Sequence, residues 1–442
     1  MILKKLPLLV LMLFLYTACA EELPGIDPPK DEFFFPTGIK LSLDKKTLFV
    51  TNGNSDLKYN GSTLMALDFE KVITRMTNPG NQANCYQDPQ NFDEYICELD
   101  DDIIQTTKWL DSYAGNMVFF PAPEDSEVDY RIMVSVRGGP HLTWLDIHQD
   151  QEGKVTCLDC GKGCSTGFPN KCSKNNKITI EDGLASDPFL LKHDPVYGYI
   201  ISTHLGTGDL TVVDVFSEPP GVSQLNKGIM SRVSGYSGSY GIASYTEDKP
   251  YYLVSNSFFS EIVLLTWQFS PWDNLDYLIP VKRYFLQVPM GPLESGPALR
   301  DLALSSDGKK LYVLTKTPAM LLTLDMKKGE DNIPTLEVLN QVELPINPSL
   351  LKVDNSVAGY DLVYVSNFSS GRLTVVEPQF DGVITRLNIG SGPHEFIFVD
   401  EPEFNGIISV NYGESTLSFL KFENGNYKRI GRLGKPSSIS SQ

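Results

Sequence analysis

Leu299-Arg300-Asp301-Leu302-Ala303-Leu304, a break at Ser306-Asp307-Gly308, then Lys310-Leu311-Tyr312-Val313-Leu314-Thr315 and Met320-Leu321-Leu322-Thr323-Leu324-Asp325 decide the architecture of this chain. With the run at 335–344, they read as four strands in succession, here lettered A to D. The runs are short, rich in Leu, Val, Tyr and Thr, and bounded by Gly, Asp and Lys turns. That is strand chemistry, and no long stretch of the chain keeps a helical period.

The same unit recurs outward in both directions. Strand B runs end in a polar residue at Asn52, Arg137, His204, Asn256, Lys316, Asn367 and Asn411. The strands after them end at Asp68, Asp146, Asp214, Thr266, Asp325, Glu377 and Lys421, at spacings of 16, 9, 10, 10, 9, 10 and 10 residues. Only the first departs, and it carries extra turn residues at 53–61. Seven repeats of four antiparallel strands predict an all-β fold, a seven-bladed β-propeller over residues 36–436, because radial repetition protects sheet edges. The last unit has its own strand D at 427–433, so the ring closes without a borrowed N-terminal strand. Phe33 to Phe35 remain available for an outer edge.

Two interruptions break the repeat. Residues 75–112, read as following blade one, hold Cys85, Cys97 and the acidic run 98–102; residues 149–187 hold Cys157, Cys160, Cys164 and Cys172. Both are poor in apolar residues and need cross-links to keep a shape. Their clustering predicts a Cys85–Cys97 disulfide and two bridges within 157–172, with a sulfur-ligated zinc site as the rival for the second cluster. Both insertions flank adjacent blades, which predicts one raised rim. The acidic run lacks calcium-loop spacing and reads as a solvated face.

The N-terminus reads as a leader. Lys4 and Lys5 precede an apolar run ending at Leu15, too short to span a bilayer, followed by Tyr16-Thr17-Ala18-Cys19. Thr17-Ala18-Cys19 resembles the bacterial lipobox, with Tyr16 where an aliphatic residue is usual. The resemblance implies cleavage after residue 18, lipidation of Cys19 and a tether over 19–35. Ala20 after the cysteine implies the outer membrane, with the chain on its periplasmic or surface face. The formal charge of −18 becomes −20 once Lys4 and Lys5 leave with the leader. Such acidity argues against nucleic acid and against adsorption to anionic lipid, so membrane contact is through the lipid alone.

Pro36-Thr37-Gly38, Leu43-Asp44-Lys45-Lys46 and Leu48-Phe49-Val50-Thr51-Asn52, together with the unit at 297–325, resemble the Tyr-Val-Thr-Asn family of bacterial seven-bladed propellers, related in fold to lactonase-type propellers. That geometry implies that strand A starts and B–C turns surround one mouth of the central channel. The expected mouth residues are Asn52, Arg137, His204, Asn256, Lys316, Asn367 and Asn411, joined by Thr37, Asn116, Pro188, Tyr240, Arg300 and His394. The four recurring asparagines read first as turn formers. Arg137, His204, Arg300, Lys316 and His394 break the repeat and predict a cationic mouth suited to an anionic group. The recurring aspartates Asp68, Asp146, Asp214 and Asp325 read as turn caps.

No nucleophile elbow, phosphate loop or His-Glu-x-x-His motif is present, and no cofactor is expected. The leading expectation is therefore a binding or scaffold propeller of the cell envelope, recognising a protein, peptide or glycan. The alternatives are a lactonase-like hydrolase, with His204, His394 and Arg137 polarising the substrate, and a metal-handling or redox propeller using His141, His204 and His394.

Overall fold

The computed structural model describes residues 25–124, 126–164, 168, 170–232, 235–246, 250–287, 298–329 and 333–437. The expected leader and Cys19 lie outside the described residues. Seven sheets follow one another from Pro36 to Leu433, each with four antiparallel strands that are consecutive in the chain in every blade but the first. Strands A are Pro36–Leu41, Ala114–Phe120, Pro188–Asp194, Ser239–Thr246, Leu299–Leu304, Pro348–Asp354 and Pro393–Glu401. Strands B are Thr47–Asn52, Tyr130–Val136, Tyr199–His204, Pro250–Asn256, Lys310–Thr315, Leu362–Asn367 and Phe404–Asn411.

Apolar side chains alternate to both faces of every sheet, so the hydrophobic core is divided into seven clusters, one at each blade–blade seam. Leu48, Val50 and Met65 of blade one meet Ile408 and Val410 of blade seven, which closes the ring. The other six seams are packed in the same way, for example by Tyr364 and Leu373 against Phe396 and Ile407. Burial on both faces of each sheet makes each blade dependent on its neighbours.

Every strand A is bulged at its second position: pairing jumps from Pro36 to Gly38, and likewise in the other six blades. The bulge twists the inner strand and frees backbone N–H groups. Three of them are taken across a seam. Asn116 Oδ1 accepts from Leu191 N at 3.0 Å, Asp301 Oδ2 from Leu351 N at 3.0 Å, and Glu395 Oε2 from Ile39 N at 3.4 Å.

The first insertion does not follow blade one. It lies between the third strand, Ser62–Asp68, and the fourth, Ile104–Leu110. Asp68 caps an amphipathic helix, α1 (Phe69–Thr77), by accepting from Lys71 N, and Val72, Ile73 and Met76 of α1 pack into the seam between blades seven and one. A hairpin, Cys85–Asp88 and Asn91–Cys97, then adds to blade seven, its second strand parallel to Asn426–Leu433. This hairpin, and not Phe33 to Phe35, extends an outer edge. Phe33 and Phe34 are buried, and the backbone N–H groups of Phe34 and Phe35 donate to Asn52 Oδ1 and Ser415 Oγ.

Disulfides join Cys85 to Cys97, Cys157 to Cys164 and Cys160 to Cys172. The second insertion completes the outer edge of blade two in two pieces, Val155–Asp159 and Lys177–Thr179, both paired to His141–Gln149. Cys160 and Cys172 are buried in the seam with blade one. The first insertion packs at the seam between blades seven and one and the second at the seam between blades one and two, and Phe69, Glu70 and Ile73 of the first line one cavity with Glu152, Gly153 and Lys154 of the second. The acidic run is also more engaged than expected: Asp100 takes both guanidinium nitrogens of the buried Arg75, at 2.9 and 3.1 Å, and Asp102 pairs with Lys71.

Candidate functional site

The four asparagines are buried inside the blades and do not line the mouth. Asn52 Nδ2 donates to Thr63 Oγ1 at 2.8 Å, Asn256 Nδ2 to Glu261 at 3.0 Å, and Asn411 Nδ2 to Thr416 and Ser418 at 3.0 and 2.8 Å. Asn367 accepts from Thr374 Oγ1 at 2.7 Å. Each ties the end of strand B to strand C.

His204 holds the same place in blade three. It is fully buried, its Nδ1 2.9 Å from the Ser186 carbonyl and its Nε2 2.9 Å from Thr211 Oγ1. Burial pushes its pKa down to about 4, against smaller opposing effects from the Ser186 backbone, Asp209 and Asp187. It is a neutral strut with both nitrogens occupied, unavailable to a ligand in the channel.

Arg137 and Lys316 are not equivalent to the asparagines. Val136 and Thr315 pair with the strand A starts in blades two and five, so both cations stand one residue further along, on the B–C turn. The two short spacings of 9 residues carried this signal. Asn116 is likewise one place deeper than Arg300 and His394, in the seam-bridging layer. Pro188 is one place shallower, paired with His204.

The residues that do meet at the channel are Thr37, Phe189, Tyr240, Arg300, Ser349 and His394, the second residue of strand A in six blades, with Arg137 and Lys316 beside them. Tyr240 is the hub. Its ring packs on Phe189 at 4.7 Å, the Arg300 guanidinium lies 4.8 Å over it, and its hydroxyl donates to the Ser349 carbonyl at 3.3 Å. The ring thus reaches from blade four to blade six, across the channel, and burial pushes its hydroxyl up to about 12. Tyr240 is among the expected mouth residues, but nothing local in the sequence marks it as reaching Ser349 of blade six.

Arg137 is paired with Asp187 at 2.5 Å. Arg300 and Lys316 have no ion pair among the described residues, and the Arg300 charge is the main influence holding the Lys316 ammonium below its ordinary value. Their uncompensated charge is available to an anion. Burial lowers the pKa of His394, with Glu395 and the Thr37 backbone opposing, and its Nδ1 is buried without a hydrogen-bond partner. His141, expected as a third imidazole, is buried in strand C of blade two with Nε2 3.4 Å from Asp111. The three histidines are not brought together, and among the described residues no group of His, Cys, Asp and Glu converges as a metal site.

Beside the mouth lies a groove of about 1070 Å³ over blades six, seven and one. Phe34, Phe35, Tyr59, Phe368 and Tyr412 line it together with Asp31, Glu32, Asp56 and Glu98. Tyr412 packs against Phe35 at 5.2 Å and Phe368 at 5.5 Å. Its walls come from turns distant in sequence. The Phe33 to Phe35 run was the one local hint.

Fold and site together define a seven-bladed β-propeller with a polar, cation-bearing mouth and an aromatic groove on the same rim. No family model and no curated protein matches the chain. Solved structures share the architecture. A propeller from Bacteroides fragilis named as a candidate 6-phosphogluconolactonase superposes with a TM-score of 0.57 at 12% identity, covering 90% of this chain and 98% of that one. A similarly named protein from Bacteroides uniformis gives 0.54 at 12% identity, over 87% and 95% of the two chains. A protein from Lactobacillus plantarum gives 0.54 at 14%, over 92% and 97%. At such identities the likeness establishes the fold alone.

Proposed function

We propose that this chain is a binding propeller of the exported compartment, held at the outer membrane through lipid on Cys19, and that its groove takes a carbohydrate chain of the envelope. The observation that carries this reading is the groove itself. Flat aromatic rings offer apolar faces to sugar rings, and the carboxylates among them accept sugar hydroxyls. Three disulfides and the leader motif support an oxidising compartment. Binding of purified envelope glycans, followed by calorimetry, should fall at least tenfold in Tyr412→Ala and Phe368→Ala variants that melt as the parent does. Unchanged glycan binding, or binding of peptides alone, overturns the carbohydrate reading. Loss of fatty-acid labelling in Cys19→Ala tests the anchor.

A second reading is favoured by the orphan Nδ1 of His394. A neutral imidazole within the field of Arg137 has the parts for hydrolysis of a sugar lactone: a base for water and a cation for the developing oxyanion. Two of the similar propellers are named as candidate 6-phosphogluconolactonases. Hydrolysis of a lactone panel that is abolished in His394→Ala would establish it, and absence of turnover would leave binding alone.

A further inference from the structure

Three strands A share a pattern that neither the mouth nor the groove uses: Pro36 to Lys40, Pro188 to Lys192 and Pro348 to Lys352, each a proline with a lysine four residues on. The common register places the three lysines at one depth in the ring, in blades one, three and six, beyond the Tyr240 crossing and toward the end where strands A and B are joined.

Their charges are poorly compensated. Glu395 is the one carboxylate within ion-pair range, 3.9 Å from both Lys40 and Lys352. Lys352 also donates to the Phe396 carbonyl at 2.5 Å. Lys192 has no ion pair or hydrogen bond among the described residues. Asp301, the other acid of this wall, has one oxygen bonded to Leu302 N and the other to Leu351 N. Asp194, next along from Lys192, is occupied by Tyr252 and by Trp267 at 3.1 Å. Lys40 and Lys352 nevertheless keep 32% and 30% of their side-chain surface open. Burial pushes the Lys352 ammonium down to about 8, with Lys40 adding to the effect and Glu395 opposing it, and burial also lowers Lys192. Asp301 keeps its charge while it accepts its two backbone bonds, so three ammonium groups face two carboxylates and one net positive charge is left for an anion. Ammonium groups on flexible stems act as separate point charges, a match for a phosphate group and not for a fork-shaped carboxylate pair.

We propose that this lysine layer is an anion site taking a phosphate group, free or as a monoester, held between Lys40, Lys192 and Lys352. The site is separate from the groove, whose lining contains none of the three lysines.

The test is calorimetric titration of the full-length protein at pH 7 in chloride buffer with inorganic phosphate and, separately, glycerol 3-phosphate. One site per chain is expected. Lys192→Gln should weaken binding by about tenfold, the loss of one charge-assisted contact, and Lys174→Gln, on an exposed loop, should leave it unchanged. Glu395→Gln keeps the acceptor for Ile39 N and removes the competing charge, so it should tighten binding. Preference for the monoester over inorganic phosphate, or the reverse, identifies the source. No binding of either probe to the parent protein, or equal affinity in Lys192→Gln, overturns the proposal. So does Glu395→Gln that binds no better than the parent while melting at the same temperature.

Discussion

Replacing His204 with Asn should remove much of the acid sensitivity of this protein while leaving its stability near neutral pH almost intact. His204 is a base whose folded-state pKa lies below its ordinary 6.5, at about 4. The unfolded chain therefore takes up the proton first. Stability is full above pH 6.5, is lost as pH falls through the window down to about 4, and then levels off. A gap of about 2.5 pH units corresponds to about 3 kcal/mol in full, of which about 2 kcal/mol is already lost at pH 5. Asparagine fits the position because four other blades use it there, and in three of them it bonds a strand C threonine as His204 bonds Thr211. The smaller side chain should cost about 1 kcal/mol at pH 7.5. Urea unfolding of parent and variant at pH 7.5 and pH 5 measures both quantities, and the difference between them cancels the contributions of His141, His193 and His394, whose values burial also lowers. If His204→Asn loses as much stability as the parent between the two pH values, His204 is not the buried neutral strut described above.

Two further perturbations probe the seams. Asp194 of blade three accepts from the buried Tyr252 hydroxyl and Trp267 Nε1 of blade four, so Asp194→Ala should cost about 3 kcal/mol by orphaning both donors, and Asp194→Asn about half of that. A melting temperature for Asp194→Ala equal to the parent would refute the seam role. The Cys85–Cys97 disulfide spans 12 residues and pins the hairpin against blade seven; its loss in a Cys85→Ser/Cys97→Ser double variant should cost about 3 kcal/mol and open the segment to protease. Unchanged melting and protease resistance would show that strand pairing alone holds the hairpin.

The blade count, the strand pairs of the fifth unit and the grouping of the six cysteines were legible in the residues because each rests on neighbours in the chain: a two-residue alternation, a Gly or Asn turn, thiols a few positions apart. Even the displacement of Arg137 and Lys316 is written locally, in two spacings of 9, but one residue too few is indistinguishable from ordinary turn variation. What the residues could not disclose was contact between distant turns. Whether His204 faced the channel or the blade interior depended on Ser186 and Thr211. That Tyr240 crosses the channel depended on Ser349, and the partner of the first insertion depended on the last strand of the chain. The three lysines are separated by 152 and 160 residues and meet only because seven seams bring the ring back to its start. Strand formation is a matter of local backbone and side-chain preference, whereas the channel exists only after closure. Its electrostatics therefore belong to the tertiary structure.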